Sequence, residues 1–326
     1  MYSQRAVLRQ IYLTFVRSIT FVLQRTDKLD WSIVKEIISP ASIRWDVREP
    51  YSRIAKRLSV DEETVRRRLA RLRKAGVIGN FVLFLNPRLL DRKNTILYLE
   101  LKDYDSIVQA IPKLKLMDGI ISFTAVHEAG LIVSIFYPSE SALTRQIALI
   151  ESICEPKTVI SWTAPYPQFA GYLTKTDWII LQALRKDPRR KLSDLASDLG
   201  ISSRTINRRT KRLNAGNAMF LFLEFDLTKV GGLRYLLIVH CEDKERKREA
   251  DKTILSRLPN LVYAETWAPN HSLFAFACEN ILKADSISSW VWKINGMSDM
   301  KLGIIKSRIH NMDWVDEEIQ KRIASF

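Results

Sequence analysis

Residues 54–74 read Ile-Ala-Lys-Arg-Leu-Ser-Val-Asp-Glu-Glu-Thr-Val-Arg-Arg-Arg-Leu-Ala-Arg-Leu-Arg-Lys, and residues 195–213 read Leu-Ala-Ser-Asp-Leu-Gly-Ile-Ser-Ser-Arg-Thr-Ile-Asn-Arg-Arg-Thr-Lys-Arg-Leu. A shift of 141 positions superimposes Ala55 on Ala196, Leu58 on Leu199, Thr64 on Thr205 and Val65 on Ile206. The same shift carries Arg67 and Arg68 onto Arg208 and Arg209, and Leu72 onto Leu213. A gapless match at one offset is the mark of an internal repeat, and it organises the rest of the chain.

Each copy has the pattern of a helix-turn-helix. Ile54, Ala55 and Leu58 make a short apolar stripe at helical spacing, and Ser59-Val60-Asp61 interrupts it with turn and capping types. From Glu62 to Lys74 the apolar residues Val65, Leu69 and Leu72 fall on one face, while Arg66, Arg67, Arg68, Arg71, Arg73 and Lys74 fill the remainder. Glu62 and Glu63 sit in the first turn, where the helix dipole favours acids. In the second copy Ser202 or Ser203 is the cap, Ile206 and Leu213 point inward, and Arg204, Asn207, Arg208, Lys211 and Arg212 point outward. A basic helix face can be a solvated surface and nothing more. Two of them in a chain of net charge +15 point to nucleic acid, because Lys and Arg at this density supply phosphate contacts and counterion release. The expected contacts to double-stranded DNA are Ser59, Thr64, Arg66, Arg67 and Arg71 with Ser202, Ser203, Arg204, Asn207, Arg208 and Lys211. Arg68 and Arg209 lie nearer the apolar face and are expected to brace it by salt bridges.

Beyond the first basic helix, Gly76 is a helix stop and Gly79-Asn80, between apolar runs, reads as the turn of a short hairpin, the wing of a winged helix. The second copy carries a weaker version at 215–227. Each reader is followed by an alternating pattern. Strands are expected at Thr95–Leu101, Ile120–Val126, Leu131–Tyr137 and Thr158–Trp162, with helices at Asp105–Leu114 and Ser139–Ile153. The second stretch gives strands at Tyr235–Cys241, Leu261–Trp267, Leu273–Cys278 and Lys301–Ile309, with helices at Glu245–Arg257 and Ile281–Ile294. That order is βαββαβ twice, and a four-stranded sheet with both helices on one face leaves the other face to be covered.

Winged helix followed by βαββαβ domain, opened by Leu29-Asp30 and Thr176-Asp177, resembles the Lrp/AsnC family of feast/famine regulators. The runs Thr64–Leu69 and Leu72–Ile78 resemble that family's recognition helix and its exit. The resemblance implies an α+β chain in which two winged helix-turn-helix domains alternate with two ferredoxin-like domains. Their expected spans are 27–92, 93–166, 172–230 and 231–310, between a basic amphipathic helix at 1–26 and a C-terminal helix at 311–326. It also implies a transcription regulator whose two sheets pack face to face as a built-in pseudo-dimer. Family members carry a Gly-x-Tyr-Asp type loop near their amino-acid effector. The matching stretches here, His127–Leu131 and Ala268–Ser272, do not keep it, so a small-molecule effector stays open, as does a homo-oligomer. The first reader also holds extra residues around Ser42–Glu49, and copies that have diverged this far should prefer an asymmetric operator.

Other classes find less support. P-loop, dinucleotide fingerprint, H-E-x-x-H and Gly-x-Ser-x-Gly motifs are absent, no metal or cofactor is expected, and the chain reads as non-enzymatic. Cys154, Cys241 and Cys278 make no C-x-x-C spacing and read as buried free thiols in a reducing cytoplasm. Arg17 interrupts the apolar run of residues 1–26, which is too short and too charged to span a membrane. The four histidines are scattered, and those at 127 and 271 read as surface loop residues. One enzymatic rival shares the Lrp/AsnC architecture: the siroheme decarboxylases, in which His271 would be the residue to suspect. Their Tyr-Asn-x-Trp-Phe run is missing. A third reading is an architectural DNA-binding protein without sequence preference.

Overall fold

The computed structural model describes residues 27–37, 50–127, 129–163, 166–169, 171–230, 232–258, 261–266, 268–278 and 280–326. The helix expected over 1–26 and the insertion around Ser42–Glu49 lie outside the described residues, as does part of the joint at Pro165–Gly171.

Three helices open the described chain: α1 (Lys28–Ile37), α2 (Tyr51–Leu58) and α3 (Glu62–Lys74). They lead through β1 (Ile78–Leu85) into β2 (Lys93–Glu100), α4 (Tyr104–Leu114), β3 (Ile120–Val126), β4 (Gly130–Tyr137), α5 (Glu140–Cys154) and β5 (Thr158–Thr163). The same succession then recurs. Helices α6 (Lys175–Lys186), α7 (Leu192–Leu199) and α8 (Ser203–Ala215) lead through β6 (Met219–Phe225) into β7 (Leu233–Cys241) and α9 (Lys244–Arg257). Next come β8 (Leu261–Glu265), β9 (His271–Cys278), α10 (Ile281–Trp292) and β10 (Met297–His310), and α11 (Met312–Ala324) closes the chain. Several helix starts follow capping chemistry. The Asp61 carboxylate accepts from Thr64 N at 2.6 Å, Ser202 Oγ accepts from Thr205 N at 3.2 Å, and Thr174 with Asp177 forms a reciprocal capping box.

The wing hairpin is corrected. Residues 78–85 form one strand, and its partner is β6, in antiparallel register from Ile78 opposite Phe225 to Leu85 opposite Met219. Gly79 and Asn80, read from sequence as a turn, fall in the irregular step of register between Ile78 and Phe81. An added Cβ on Gly79 would come within 3.2 Å of the Glu224 Cβ, so the glycine permits close approach of the two strands. The physical reason is coverage. Ile78, Leu83 and Leu85 of β1 are buried together with Met219, Phe220 and Phe225 of β6, which an isolated hairpin with a solvated face could not achieve. One apolar cluster therefore draws on Ile54, Val65 and Leu72 from the first helical unit and on Trp178, Ile206 and Leu213 from the second.

The two sheets are corrected as well. The strand order β5-β2-β4-β3-β10-β7-β9-β8 is a single eight-stranded sheet. Strand β10 starts four residues before its expected beginning at Lys301, which lets it pair twice: Met297–Ile304 lies along β7 and Ile305–His310 along β3. Helices α4 and α5 cover one half with Ile107, Leu114 and Ile150, and α9 and α10 cover the other with Ile254, Ile287 and Val291. The uncovered faces of the halves meet each other, as Ile96, Ile132 and Trp162 pack with Leu236, Ile238 and Leu273. The face-to-face packing is thus present, with an edge junction added to it. The closing helix buries Trp314, Val315 and Ile319 and donates from Trp314 Nε1 to Asp118 at 2.6 Å.

Candidate nucleic-acid interface

Helix α3 holds its basic face in place through α1. Asp30 at the start of α1 is almost wholly buried and takes two guanidinium groups, Arg68 at 3.0 Å and Arg71. Arg68 also reaches Asp27 at 2.5 Å, and that contact holds the Asp27 carboxyl below the ordinary carboxylate range. Helix α8 repeats the arrangement on Asp177, which is fully buried and meets Arg209 at 3.0 Å and Arg212 at 2.5 Å. Burial alone would raise the Asp177 pKa. Hydrogen bonds from the Thr174 backbone and hydroxyl and from both arginines outweigh it and hold the group low.

These pairings sort the expected contact residues. Arg71 is half-buried and committed to Asp30, so its expected place at the interface is corrected: it braces α3 on α1 as Arg68 does. Arg66 is exposed, but it pairs with Glu62 one turn back and lies over the Tyr51 ring at 5.2 Å. The hydroxyl of Thr64 donates to Asp61 at 2.7 Å within the helix cap, and Ser202 serves as the other cap. Ser59 is exposed at a left-handed φ of 54° that ends α2. Arg67, Ser203, Arg204, Asn207, Arg208 and Lys211 are all exposed. Among the described residues, Arg67, Arg204, Arg208 and Lys211 have no carboxylate within ion-pair distance, so their charge is available to a polyanion. Arg68 and Arg209 stand where the sequence put them, as braces.

Sequence reasoning missed the carboxylate anchors as such, although Asp30 and Asp177 sit at matching helix starts and could have been paired with the arginines below them. It also missed Arg189, whose guanidinium crosses from the second half to lie over Tyr51 at 4.7 Å and Phe81 at 5.2 Å. Nothing in the local pattern of Arg189 announces a contact that depends on the β1–β6 ribbon.

A second cluster lies where the sheet faces meet. His271, on β9 instead of in a loop, stacks on Trp162 of the first half (centroids 6.4 Å apart, planes 11° apart) and touches the His240 ring at 4.4 Å. Burial, then the neighbouring His240, lowers the His271 pKa. His240 Nδ1 lies 2.6 Å from Ser298 Oγ. Nearby, Lys301 bridges to Glu100 at 3.1 Å across the two halves. His127 stays exposed in its turn. The three cysteines are free and buried, and burial pushes the Cys154 thiol up to about 11. Among the described residues no group of three His, Cys, Asp or Glu could hold a metal ion, and no helix is long and apolar enough to cross a membrane.

Residues 173–214 match the AsnC-type helix-turn-helix domain, so the chain carries one such domain over α6–α8. No curated protein matches. Among solved structures, the siroheme decarboxylase NirDL is similar over 91% of this chain and 99% of its own, at 12% identity and a TM-score of 0.52. The same enzyme in complex with an iron-uroporphyrin III analogue gives 13% identity, 90% and 98% coverage and a TM-score of 0.52. AsnC of E. coli aligns with 45% of this chain and 97% of its own at 21% identity, with a TM-score of 0.31. The likeness to NirDL shows a shared fold. It also overturns the reading of this chain as non-enzymatic: that reading rested on the absence of common catalytic motifs, and an enzyme has a similar fold along almost the whole chain.

Proposed function

We propose that the chain is a DNA-binding transcription regulator that reads the duplex with two helix-turn-helix units, α3 and α8 entering major grooves as the two arms of an internal pseudo-dimer. The observation that carries this reading is the pair of buried carboxylates. Asp30 and Asp177 each clamp two arginines of one helix, and this orients the remaining cations, Arg67 on α3 and Arg204, Arg208 and Lys211 on α8, outward. Lys and Arg so placed give phosphate neutralisation, and Asn207 and the arginines have the donor geometry for base edges. Selection of bound duplexes from a random pool at near-physiological salt tests the proposal. Two unlike half-sites support it. Retention without any motif supports an architectural protein instead, and no retention removes DNA binding altogether. Within the proposal, Arg67→Ala should weaken binding and lower the salt slope by about one unit if Arg67 neutralises a phosphate. Equal slopes for the variant and the parent would take Arg67 off the interface.

A second reading is favoured by the His240–His271–Trp162 cluster, which is assembled from both halves at the sheet junction of a fold shared with a siroheme decarboxylase. It places tetrapyrrole binding there, with His271 as the contact. Titration with iron-uroporphyrin, read in the Soret band, separates it from the first. A His271-dependent spectral shift supports tetrapyrrole binding, and an unchanged spectrum removes it.

A further inference from the structure

His240 and His271 stand directly opposite each other where β7 pairs with β9 in antiparallel register, so both side chains rise from the same face of the sheet. That face carries Leu236, Ile238 and Leu273 into the junction between the halves, and the two histidines form its half-buried rim. Their ring centroids are 4.4 Å apart and their planes are tilted by 47°. Opposed residues of such a ladder bring their Cβ atoms to about 4.5–5.5 Å, close enough for two imidazoles to reach one point.

The state of the His240 ring follows from Ser298. Its hydroxyl donates to His240 O at 3.2 Å, so at 2.6 Å from His240 Nδ1 the same Oγ acts as acceptor. Nδ1 therefore carries the proton and Nε2 keeps its lone pair. Metal-ligating histidines are fixed in the same way, with the second ring nitrogen tied to an oxygen of the protein. His271 makes no hydrogen bond among the described residues and is held instead by stacking on Trp162. The repeat shows what the fold itself needs here. Glu100 stands three residues before the capping Asp103, as His240 stands three before the capping Asp243, and Glu100 pairs in register with Gly130. The first half thus completes the same ladder without an imidazole, and neither histidine is required by the architecture. From the β10 side Asp299 lies in register with His240 and adds negative charge to the surroundings of His271. Lys247 acts in the opposite sense, but it is paired with Asp251 at 2.6 Å.

We propose that His240 Nε2 and the His271 ring chelate a divalent transition-metal ion, Cu²⁺ or Zn²⁺, across the β7–β9 ladder. Imidazole suits both ions, and copper should bind more tightly, by the usual order for nitrogen donors. Among the described residues no third His, Cys, Asp or Glu completes the set, so the remaining positions go to water or to an added ligand. The site shares His271 with the tetrapyrrole reading but does not rest on it, because the ion alone is the probe.

The test titrates the full, untagged chain with Cu²⁺ and with Zn²⁺ by calorimetry, in the presence of glycine as a weak competing chelator. Saturation at one ion per chain is expected, with Cu²⁺ the tighter. Pulsed electron paramagnetic resonance of the copper form should count two imidazole nitrogens. His240→Gln and His271→Gln should each weaken binding at least tenfold, whereas His127→Ala, in an exposed turn, should leave it unchanged. Ser298→Ala removes an exposed partner that is not itself a ligand and should weaken binding about tenfold by freeing the His240 ring. That variant keeps the proposal falsifiable if a histidine variant folds poorly. Parental affinity in both histidine variants, a single imidazole nitrogen in the copper spectrum, or no saturation against glycine would overturn it. Ion binding by a chain whose Soret spectrum ignores iron-uroporphyrin supports this site and removes only the tetrapyrrole reading.

Discussion

Arg209 and Arg212 leave α8 almost one turn apart and converge on one carboxylate, which is itself tied to Thr174 by a hydrogen bond of 2.7 Å from the hydroxyl. A buried carboxylate in this position is needed by three partners at once, so its loss should cost more than that of a surface pair. Asp177→Asn is expected to lower unfolding stability by about 3 kcal/mol in urea titrations at neutral pH. A loss under about 1 kcal/mol would mean that the pair contributes no more than an exposed one. The buried Asp177 carboxylate loses its contribution only as pH falls below the ordinary carboxylate range, and the part of the acid limb above that range has a different origin. His310 is held neutral, well below its unfolded pKa near 6.5, so the unfolded chain takes up a proton that the folded chain refuses. That stability is complete above about pH 6.5 and drains away as pH falls toward 3. Arg308, Arg234, Glu224 and Asp226 surround the group, so the measurement is best made by difference. His310→Gln should lose less stability than the parent chain between pH 7 and pH 5, and parallel curves would refute the assignment. At this scale the sequence was partly legible. Arg68 and Arg209 announced themselves as braces by their place beside the apolar stripe. Arg71 did not, because its spacing fits an outward face and only the depth of Asp30 turns it inward.

The ribbon shows where local reading stops. The apolar runs, the glycine at 79 and the strand type of both segments were legible, yet a strand does not name its partner, and the Gly-Asn turn signal pointed to the nearer one. What fixes the distant pairing is contact from three sides. Arg185 of α6 donates to Leu83 O at 2.9 Å, while the same guanidinium reaches Asp316 of α11 at 2.5 Å. Asn86, fully buried just past β1, donates from its amide to Pro167 O at 2.9 Å and Asn217 O at 2.8 Å. Asn86→Ala strips two part-buried carbonyls of their donor, which should cost about 1–2 kcal/mol and loosen the end of the ribbon. Amide hydrogen exchange gives the check: protection along Phe81–Leu85 and Met219–Phe222 should fall together in the variant. A fall confined to one strand would mean that the two do not open as a unit. Spans inside the sheet were read more closely, since their period-two and helical patterns are local properties. Strand β10 is the exception, because its first residues are irregularly paired and exposed and carry little apolar signal.

Across the molecule, few cuts separate one half from the other. The central cluster takes residues from α2, α3, α6 and α8, the sheet runs unbroken through β10, and the opposed faces share a further core. Repeated sequence would ordinarily predict separable units that melt independently. Here the ribbon pairs one strand from each half, β10 pairs with both β7 and β3, and a shared cluster lies between the helical units, so opening one half strips the other of part of its buried contacts even though each sheet half keeps a helix-covered cluster of its own. The chain should therefore unfold in a single transition, with a calorimetric enthalpy equal to the van't Hoff value and on the order of 200 kcal/mol for a fold of this size. A calorimetric enthalpy about twice the van't Hoff value would mean two independent halves. The distinction bears on DNA reading. If the halves are one cooperative body, the distance between α3 and α8 is set by the fold, and an operator's half-sites must match it near one helical turn of about 34 Å or a multiple. Inserting five base pairs between selected half-sites should then turn one site to the far side of the duplex and reduce affinity to that of a single arm. Insertion of ten should restore much of the loss only if the molecule can span the longer separation. Retained affinity at five base pairs would show that the two arms move freely, against the single-body reading of the ribbon.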